Sequence, residues 1–269
     1  MEEWRKGVVS GNTIINASML NSAGAIVPDA YQQIVGLIFE ESAARQGMEI
    51  SHMIRYLGVS WVMLAMTLEI KSPALPGETL SWSSWQSGRD GKVWRRETEL
   101  LHADGTPAIY GATFVSLLDI LTRRICRDEK TLDRLNFPEG KKLIKEASSR
   151  AEYDLDAFHE QHIRKVYPSW IDELGHTNNH RYGEMGYDAL SEEKRLSLMP
   201  DLSRLELYFF KELKLGESVS VRAQESDVQA QVLGVSTTDL KPSFLVRYAF
   251  DPGLSQRFPG EAHSILPGT

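Results

Sequence analysis

Cysteine is nearly absent: Cys126 stands alone in 269 residues, so the chain cannot close an internal disulfide. A fold stapled by cross-links is excluded, and a reducing compartment fits. No apolar run approaches the roughly 18 residues that a membrane-spanning helix requires. The opening residues Met1-Glu2-Glu3-Trp4-Arg5-Lys6 hold no apolar leader core. The expectation is a cytoplasmic protein, with folded sequence from the outset and no membrane association. Positive charge is in deficit, with 30 Lys and Arg against 37 Asp and Glu and a net charge of −7. That balance gives no sign of a general nucleic-acid-binding surface. There is no phosphate-binding P-loop, no GxGxxG after a strand and no zinc-spaced Cys/His cluster, so neither metal nor cofactor is implied. What remains is 42 % hydrophobic and 25 % charged, enough for the core of one large domain or two small ones.

The chain repeats itself, and this organises everything else. Ser18, Gly24 and Tyr31 recur as Ser169, Gly175 and Tyr182 at a constant offset of 151 residues, with apolar pairs at Met19/Trp170 and Leu20/Ile171. Further on, Pro76-Gly77-Glu78-Thr79-Leu80-Ser81 parallels Leu215-Gly216-Glu217-Ser218-Val219-Ser220 at an offset of 139. The second copy is therefore shorter in between. Each copy begins with a helical pattern. Tyr31, Ile34, Val35, Ile38 and Phe39 share one face in the first, which ends near Gly47; Tyr182, Met185, Tyr187 and Leu190 mark the second.

Strand-like runs follow, at 60–70, 79–86, 93–101 and 108–118, then at 205–213, 218–224, 230–237 and 243–250. Turn signals such as Pro76-Gly77, Asp90-Gly91 and Asp104-Gly105 separate them. One helix followed by antiparallel strands predicts an α+β unit in which a sheet wraps a helix, twice over, the two units pairing sheet to sheet. The predicted division is a first unit at 1–125, a charged linker at 126–152 that is partly helical, a second unit at 153–252 and a surface tail at 253–269.

Two segments resemble a known family. Asp172-x-x-Gly175-His176-x-Asn178-Asn179-x-x-Tyr182 resembles the signature of hotdog-fold acyl thioesterases. In order and spacing, Trp61-Val62, Pro76-Gly77-Glu78, Trp85-Gln86-Ser87-Gly88-Arg89-Asp90-Gly91 and Leu121-Thr122-Arg123-Arg124 resemble the acyl-ACP thioesterases of plants and bacteria. The resemblance spans nearly the whole chain and implies a double hotdog. It also implies hydrolysis of long-chain acyl-ACP to free fatty acid and holo-ACP, with acyl carrier protein as partner. The first repeat would shape the acyl pocket and the second would carry the chemistry. Where the second copy has Asp172, His176 and Asn178, the first has Asn21, Ala25 and Val27, which predicts one site per chain. Two fused hotdogs already form the usual pair, so a monomer or a homodimer is expected.

Thioester hydrolysis needs a base or nucleophile, a donor for the developing oxyanion and an oriented water. Asp172, His176 and Asn178 supply an acid, a proton carrier and an amide. A helix N-terminus over 175–179 would offer free N–H groups to an oxyanion. By resemblance, a catalytic Glu on the next strand matches Glu212, which makes it the water-activating base, with His176 as its partner and Asp172 orienting them. The sequence departs from that pattern at Leu174, where the acyl-ACP branch has Asn, and at Leu213, where it has Cys. Leu213 excludes a cysteine nucleophile there. Leu174 keeps open the mechanism of the wider hotdog group, in which Asp172 alone is base or nucleophile. An acyl-CoA thioesterase and a catalytically inactive acyl-binding protein are the alternatives. Each residue also has a plain reading: Asn178 and Asn179 as helix caps, Gly175 as a backbone requirement, and Glu184 and Glu212 as solvated charges. The acidic carrier would be met by Arg123, Arg124, Arg127, Lys141, Lys142, Lys145, Arg164 and Lys165, unless these simply solvate the linker.

Overall fold

The computed structural model describes residues 7–258. Residues 1–6 and 259–269, the latter most of the expected surface tail, lie outside the described residues. The first repeat runs β1 (Val9–Ile14), α1 (Pro28–Arg45), α2 (Ile50–Leu57), β2 (Val59–Ile70), β3 (Thr79–Asp90), β4 (Val93–Leu101) and β5 (Pro107–Asp119). A short helix, α3 (Glu129–Asp133), follows. The second repeat runs β6 (His159–Lys165), α4 (His180–Asp188), β7 (Leu202–Phe209), β8 (Ser218–Ser226), β9 (Gln229–Ser236) and β10 (Pro242–Phe250), and α5 (Leu254–Arg257) comes last.

All strand pairs are antiparallel and join in one sheet of order β1-β3-β4-β5-β2-β7-β10-β9-β8-β6. Read outward from the centre, each half has the same order. The halves meet where β2 pairs with β7, from Ala65↔Tyr208 to Glu69↔Arg204. The 151-residue offset is present in three dimensions: the bridge Leu20↔Ile26 of the first repeat recurs as Ile171↔Thr177 in the second.

Alternation along the strands gives the sheet two apolar faces. Met66 and Leu68 of β2 with Leu205 and Leu207 of β7 face Tyr31, Ile34, Val35 and Ile38 of α1 and Tyr182 and Met185 of α4. The intervening residues Ala65, Ala112, Phe114, Tyr208 and Leu245 are covered from the other side by Ile144 and Phe158. The segment between the repeats is thus packed against the sheet. Its Leu143 N–H reaches Glu97 at 3.0 Å and its Lys141 carbonyl accepts from the Trp85 indole at 2.8 Å. Glu97 is fully buried and is matched there by Arg95 and Ser87, each at 2.6 Å, as a buried charge must be.

Helix α4 is held close on both sides by glycine. A Cβ at Gly183 would lie 2.0 Å from Gln32 Oε1 of α1, and one at Gly186 would lie 2.6 Å from the Tyr248 hydroxyl of β10.

Candidate active site

The polar residues singled out at 172–178 occupy the loop that enters α4, and the loop's form follows from Asp172. Its Oδ1 accepts the N–H of Leu174 at 2.9 Å and of His176 at 3.1 Å, and its own N–H reaches the His176 carbonyl at 2.8 Å. Gly175 turns the chain with φ +81°, a conformation that other residues adopt at a cost. The first repeat builds the same loop with Asn21, whose Oδ1 accepts from Ala23 and Ala25 at 3.0 Å each, around Gly24 at φ +77°. An amide and a carboxylate brace the same turn, so bracing is a sufficient reason for an Asx residue at 172.

Glu212 is not on a strand. β7 ends at Phe209, and Glu212 lies in the irregular stretch before β8. This corrects the expectation of a strand position, and the cause is local. The N–H groups of Phe210 and Lys211 both turn to the Ser243 carbonyl, at 2.9 and 3.2 Å, which ends the ladder. The buried Leu213 then pins the stretch to the α4 loop. Its carbonyl accepts from the Thr177 N–H at 3.0 Å and the Thr177 hydroxyl at 2.8 Å, and its N–H reaches the Tyr182 hydroxyl at 3.2 Å. Burial pushes the Tyr182 hydroxyl pKa up, which keeps it a neutral acceptor for that bond.

The two anchors bring Glu212 Oε2 to 3.2 Å from His176 Nε2. A third residue completes the group. Arg123 Nη2 stands 3.0 Å from both Glu212 oxygens and also contacts His176 Nε2. Arg123 and Glu212 thus meet at the same ring nitrogen of His176. Arg123 comes from the first repeat, on the turn after β5, where it holds φ +57°. Such a conformation in a non-glycine residue costs free energy and recurs at functional sites. Asp119 holds the turn by accepting from Leu121 N–H at 3.1 Å, Thr122 N–H at 2.7 Å and the Thr122 hydroxyl at 2.9 Å. Those bonds keep its carboxyl pKa below the usual value. With Arg123 and Glu212 side chains 39 % and 37 % exposed, the ion pair adds at most about 1 kcal/mol of stability. Its significance lies in placement.

Asn178 does not join this group. It lines an adjoining cavity of about 350 Å³ between α1, β2 and the start of α4, with Gly36, Phe39, Trp61, Met63 and Met66 among its neighbours. Its Oδ1 lies 3.4 Å from the His180 N–H, and Asn179, at the N-cap position, makes no side-chain capping bond. Most of the N–H groups expected to be free over 175–179 are taken, that of Asn179 excepted. Those of Gly175, Thr177 and Asn178 go to the carbonyls of Asp172, Leu213 and Trp170, and those of Leu174 and His176 go to Asp172 Oδ1. Residues 174–178 therefore have no spare backbone donor for an oxyanion, and the exposed guanidinium of Arg123 is the strong donor beside Glu212. Sequence reasoning placed Arg123 in a carrier-binding patch; the Leu-Thr-Arg-Arg segment was the signal that could have moved it into the site. Elsewhere in that patch, Arg164 is taken up by Glu184 at 3.6 Å and Asp188 at 3.2 Å. Among the described residues, no group of three His, Cys, Asp or Glu could hold a metal ion. None of their helices is long and apolar enough to cross a membrane.

Neither a protein-family model nor a curated protein matches the chain. Solved structures do. A crystal structure of an acyl-ACP thioesterase from Bacteroides thetaiotaomicron superposes with a TM-score of 0.81 at 17 % identity, over 93 % of this chain and 100 % of that one. The chain has the double-hotdog fold. A 12:0-ACP thioesterase from Umbellularia californica gives 0.77 at 13 % identity, over 91 % of this chain and 97 % of its own. A Lactobacillus plantarum structure provisionally called an oleoyl thioesterase gives 0.75 at 19 % identity, also over 91 % and 97 %. The double-hotdog order accounts for the central β2–β7 seam and for a site assembled from both repeats: Arg123 from the first, His176 and Glu212 from the second.

Proposed function

We propose that the protein hydrolyses acyl thioesters, and that its substrate is long-chain acyl-ACP, cleaved in the cytoplasm to free fatty acid and holo-ACP. The observation that carries this reading is the Glu212 carboxylate, 3.2 Å from His176 and capped by Arg123, next to an apolar cavity that begins at Asn178. Glu212 takes a proton from water as that water attacks the thioester carbonyl. Charge builds on the carbonyl oxygen, and Arg123, freed from Glu212, stabilises it in place of backbone N–H groups. As the tetrahedral intermediate collapses, the proton taken up by Glu212 passes through His176 Nε2, 3.2 Å away, to the departing thiolate, which leaves both side chains as they began. Asp172 acts as the brace of the loop that presents His176, and Asn178 guides the acyl chain toward the cavity lined by the first repeat. At about 350 Å³ the cavity sits within the usual range for small-molecule sites. With Lys141 drawn toward Glu99 at 4.0 Å, Arg124, Arg127, Lys142, Lys145 and Lys165 remain as the basic residues for an acidic carrier.

A second reading, an acyl-binding protein without turnover, is favoured by two features: Leu174 stands where an amide is expected, and both Glu212 oxygens are held by Arg123. Thiol release from matched acyl-ACP and acyl-CoA by the purified protein separates these. Release above the uncatalysed rate supports hydrolysis, and a higher kcat/KM for acyl-ACP supports the carrier assignment. Tight acyl-ligand binding with no release supports the second reading.

A further inference from the structure

A second constellation lies at the other side of the first repeat, between the end of β2, the start of β3 and the end of β4. Ser72 Oγ is 2.7 Å from His102 Nε2, and His102 Nδ1 contacts Glu78 Oε1. Glu78 is itself fixed, since its Oε2 accepts the Leu75 N–H at 2.9 Å. Nucleophile, base and orienting carboxylate thus stand in the order that serine hydrolases use. All three line one open cavity of about 610 Å³, together with Leu75, Pro76 and Phe258.

The second repeat provides an internal comparison. There the N–H groups of Phe210 and Lys211 share the Ser243 carbonyl, as those of Lys71 and Ser72 share that of Ala108, and Glu217 Oε2 accepts from Lys214 at 2.9 Å, as Glu78 does from Leu75. The positions of Ser72, Glu78 and His102 are therefore held by Lys211, Glu217 and, by strand register, Ser236. The turn needs the glutamate in both copies. It does not need the serine or the histidine, which only the first copy has.

We propose that Ser72 is a nucleophile, activated by His102 and oriented by Glu78, that takes acyl groups from short uncharged esters entering this cavity. Outside the three reacting residues, Pro73, Leu75, Pro76 and Phe258 form the greater part of the lining, with Thr106 and Arg257 as its polar members, and this sets the substrate class. The rim cation Arg257 is already engaged by Asp251 and by the Gly253 carbonyl. Ser72 Oγ attacks the ester carbonyl while its proton passes to His102 Nε2. The alcohol leaves with that proton, and an acyl-Ser72 ester remains. Water then reverses the steps: its proton goes to His102, its oxygen takes the acyl group as the free acid, and Ser72 regains the proton. Ser72 Oγ also lies 2.9 Å from the Pro107 carbonyl. Residue 73 is proline and supplies no N–H to an oxyanion, so acylation by activated esters outpaces deacylation.

The test uses the full chain with an alkyl fluorophosphonate, which bonds to serine Oγ as fluoride and the proton depart, and with p-nitrophenyl acetate. The expected results are a fluorophosphonate adduct on the Ser72 peptide and a stoichiometric nitrophenol burst. Ser72→Ala should abolish the adduct, and His102→Gln should slow labelling by about a hundredfold. Glu212→Gln should leave labelling unchanged, which separates this site from the thioesterase reading. No adduct on Ser72 of the folded wild type overturns the proposal. Labelling undiminished in His102→Gln overturns it too. If either variant fails to fold, the wild-type adduct map decides.

Discussion

Gly183→Ala tests whether the contact between the two repeat helices sets the position of the α4 entry. In an unconstrained helix, alanine for glycine gains about 1 kcal/mol. Here the new Cβ falls 2.0 Å from Gln32 Oε1, 3.0 Å from its Cδ and 3.1 Å from the Asp29 backbone nitrogen. Gln32 is 4 % exposed and its Nε2 donates to the Asn179 carbonyl at 3.0 Å. It has to move, and that bond is lost, at about 1 kcal/mol. The backbone of α1 must also give by a few tenths of an ångström. Overpacking of this kind costs about 1–3 kcal/mol. The net expectation is destabilisation by about 1–3 kcal/mol, seen as a lower urea midpoint at unchanged slope. Gly36→Ala is the control, because a Cβ there meets nothing within 4 Å. It should be stabilising by up to about 1 kcal/mol. If Gly183→Ala matches or exceeds wild-type stability, the close α1–α4 contact is not a constraint and the reasoning is refuted.

Arg123→Gln should lower kcat for thioester hydrolysis by at least tenfold with little change in stability; a faster enzyme would mean that Arg123 only restrains Glu212. Asn21→Ala removes the brace of the first-repeat loop and its amide bonds to the Tyr187 hydroxyl at 3.1 Å and the Arg195 carbonyl at 2.8 Å. It should cost about 1–3 kcal/mol in chemical denaturation yet leave turnover within a few-fold, whereas Asp172→Ala should lower both. Burial, assisted by Arg164 for His162 and Arg181 for His180, holds the pKa of each imidazole below its usual 6.5. The unfolded chain therefore takes up protons first, and stability should fall as pH drops through 6.5 toward the folded values. Urea midpoints of the double variant His162→Gln/His180→Gln should vary less with pH over that window than those of the wild type.

The fold was legible wherever burial is one-sided. Runs such as 93–101 and 218–224 alternate or pair with clear turn signals and coincide with strands. Edge strands were not legible: β6 reads His-Glu-Gln-His-Ile-Arg-Lys and is almost wholly exposed, so no apolar period marks it. Helix α2, by contrast, was legible and went unread: Ile50, Met53, Ile54 and Leu57 fall at i, i+3, i+4 and i+7 and Gly58 closes the helix. At the site, the internal repeat was more informative than any single motif. The offset that aligned Asn21 with Asp172 is the one at which the two loops superimpose bond for bond. Arg123 was not legible as a site residue. Its approach to Glu212, 89 positions along the chain, depends on a left-handed turn and on packing between the repeats, and neither is written in local spacing.

The measurement that bears most directly on the central claim is steady-state hydrolysis of long-chain acyl-ACP by Glu212→Gln beside Asp172→Asn. If Glu212 is the base, Glu212→Gln should lower kcat by about a hundredfold or more with KM little changed. Asp172→Asn should cost less, because Asn21 shows that an amide can brace this turn. A Glu212→Gln enzyme with wild-type kcat, or a larger loss in Asp172→Asn, would contradict the account.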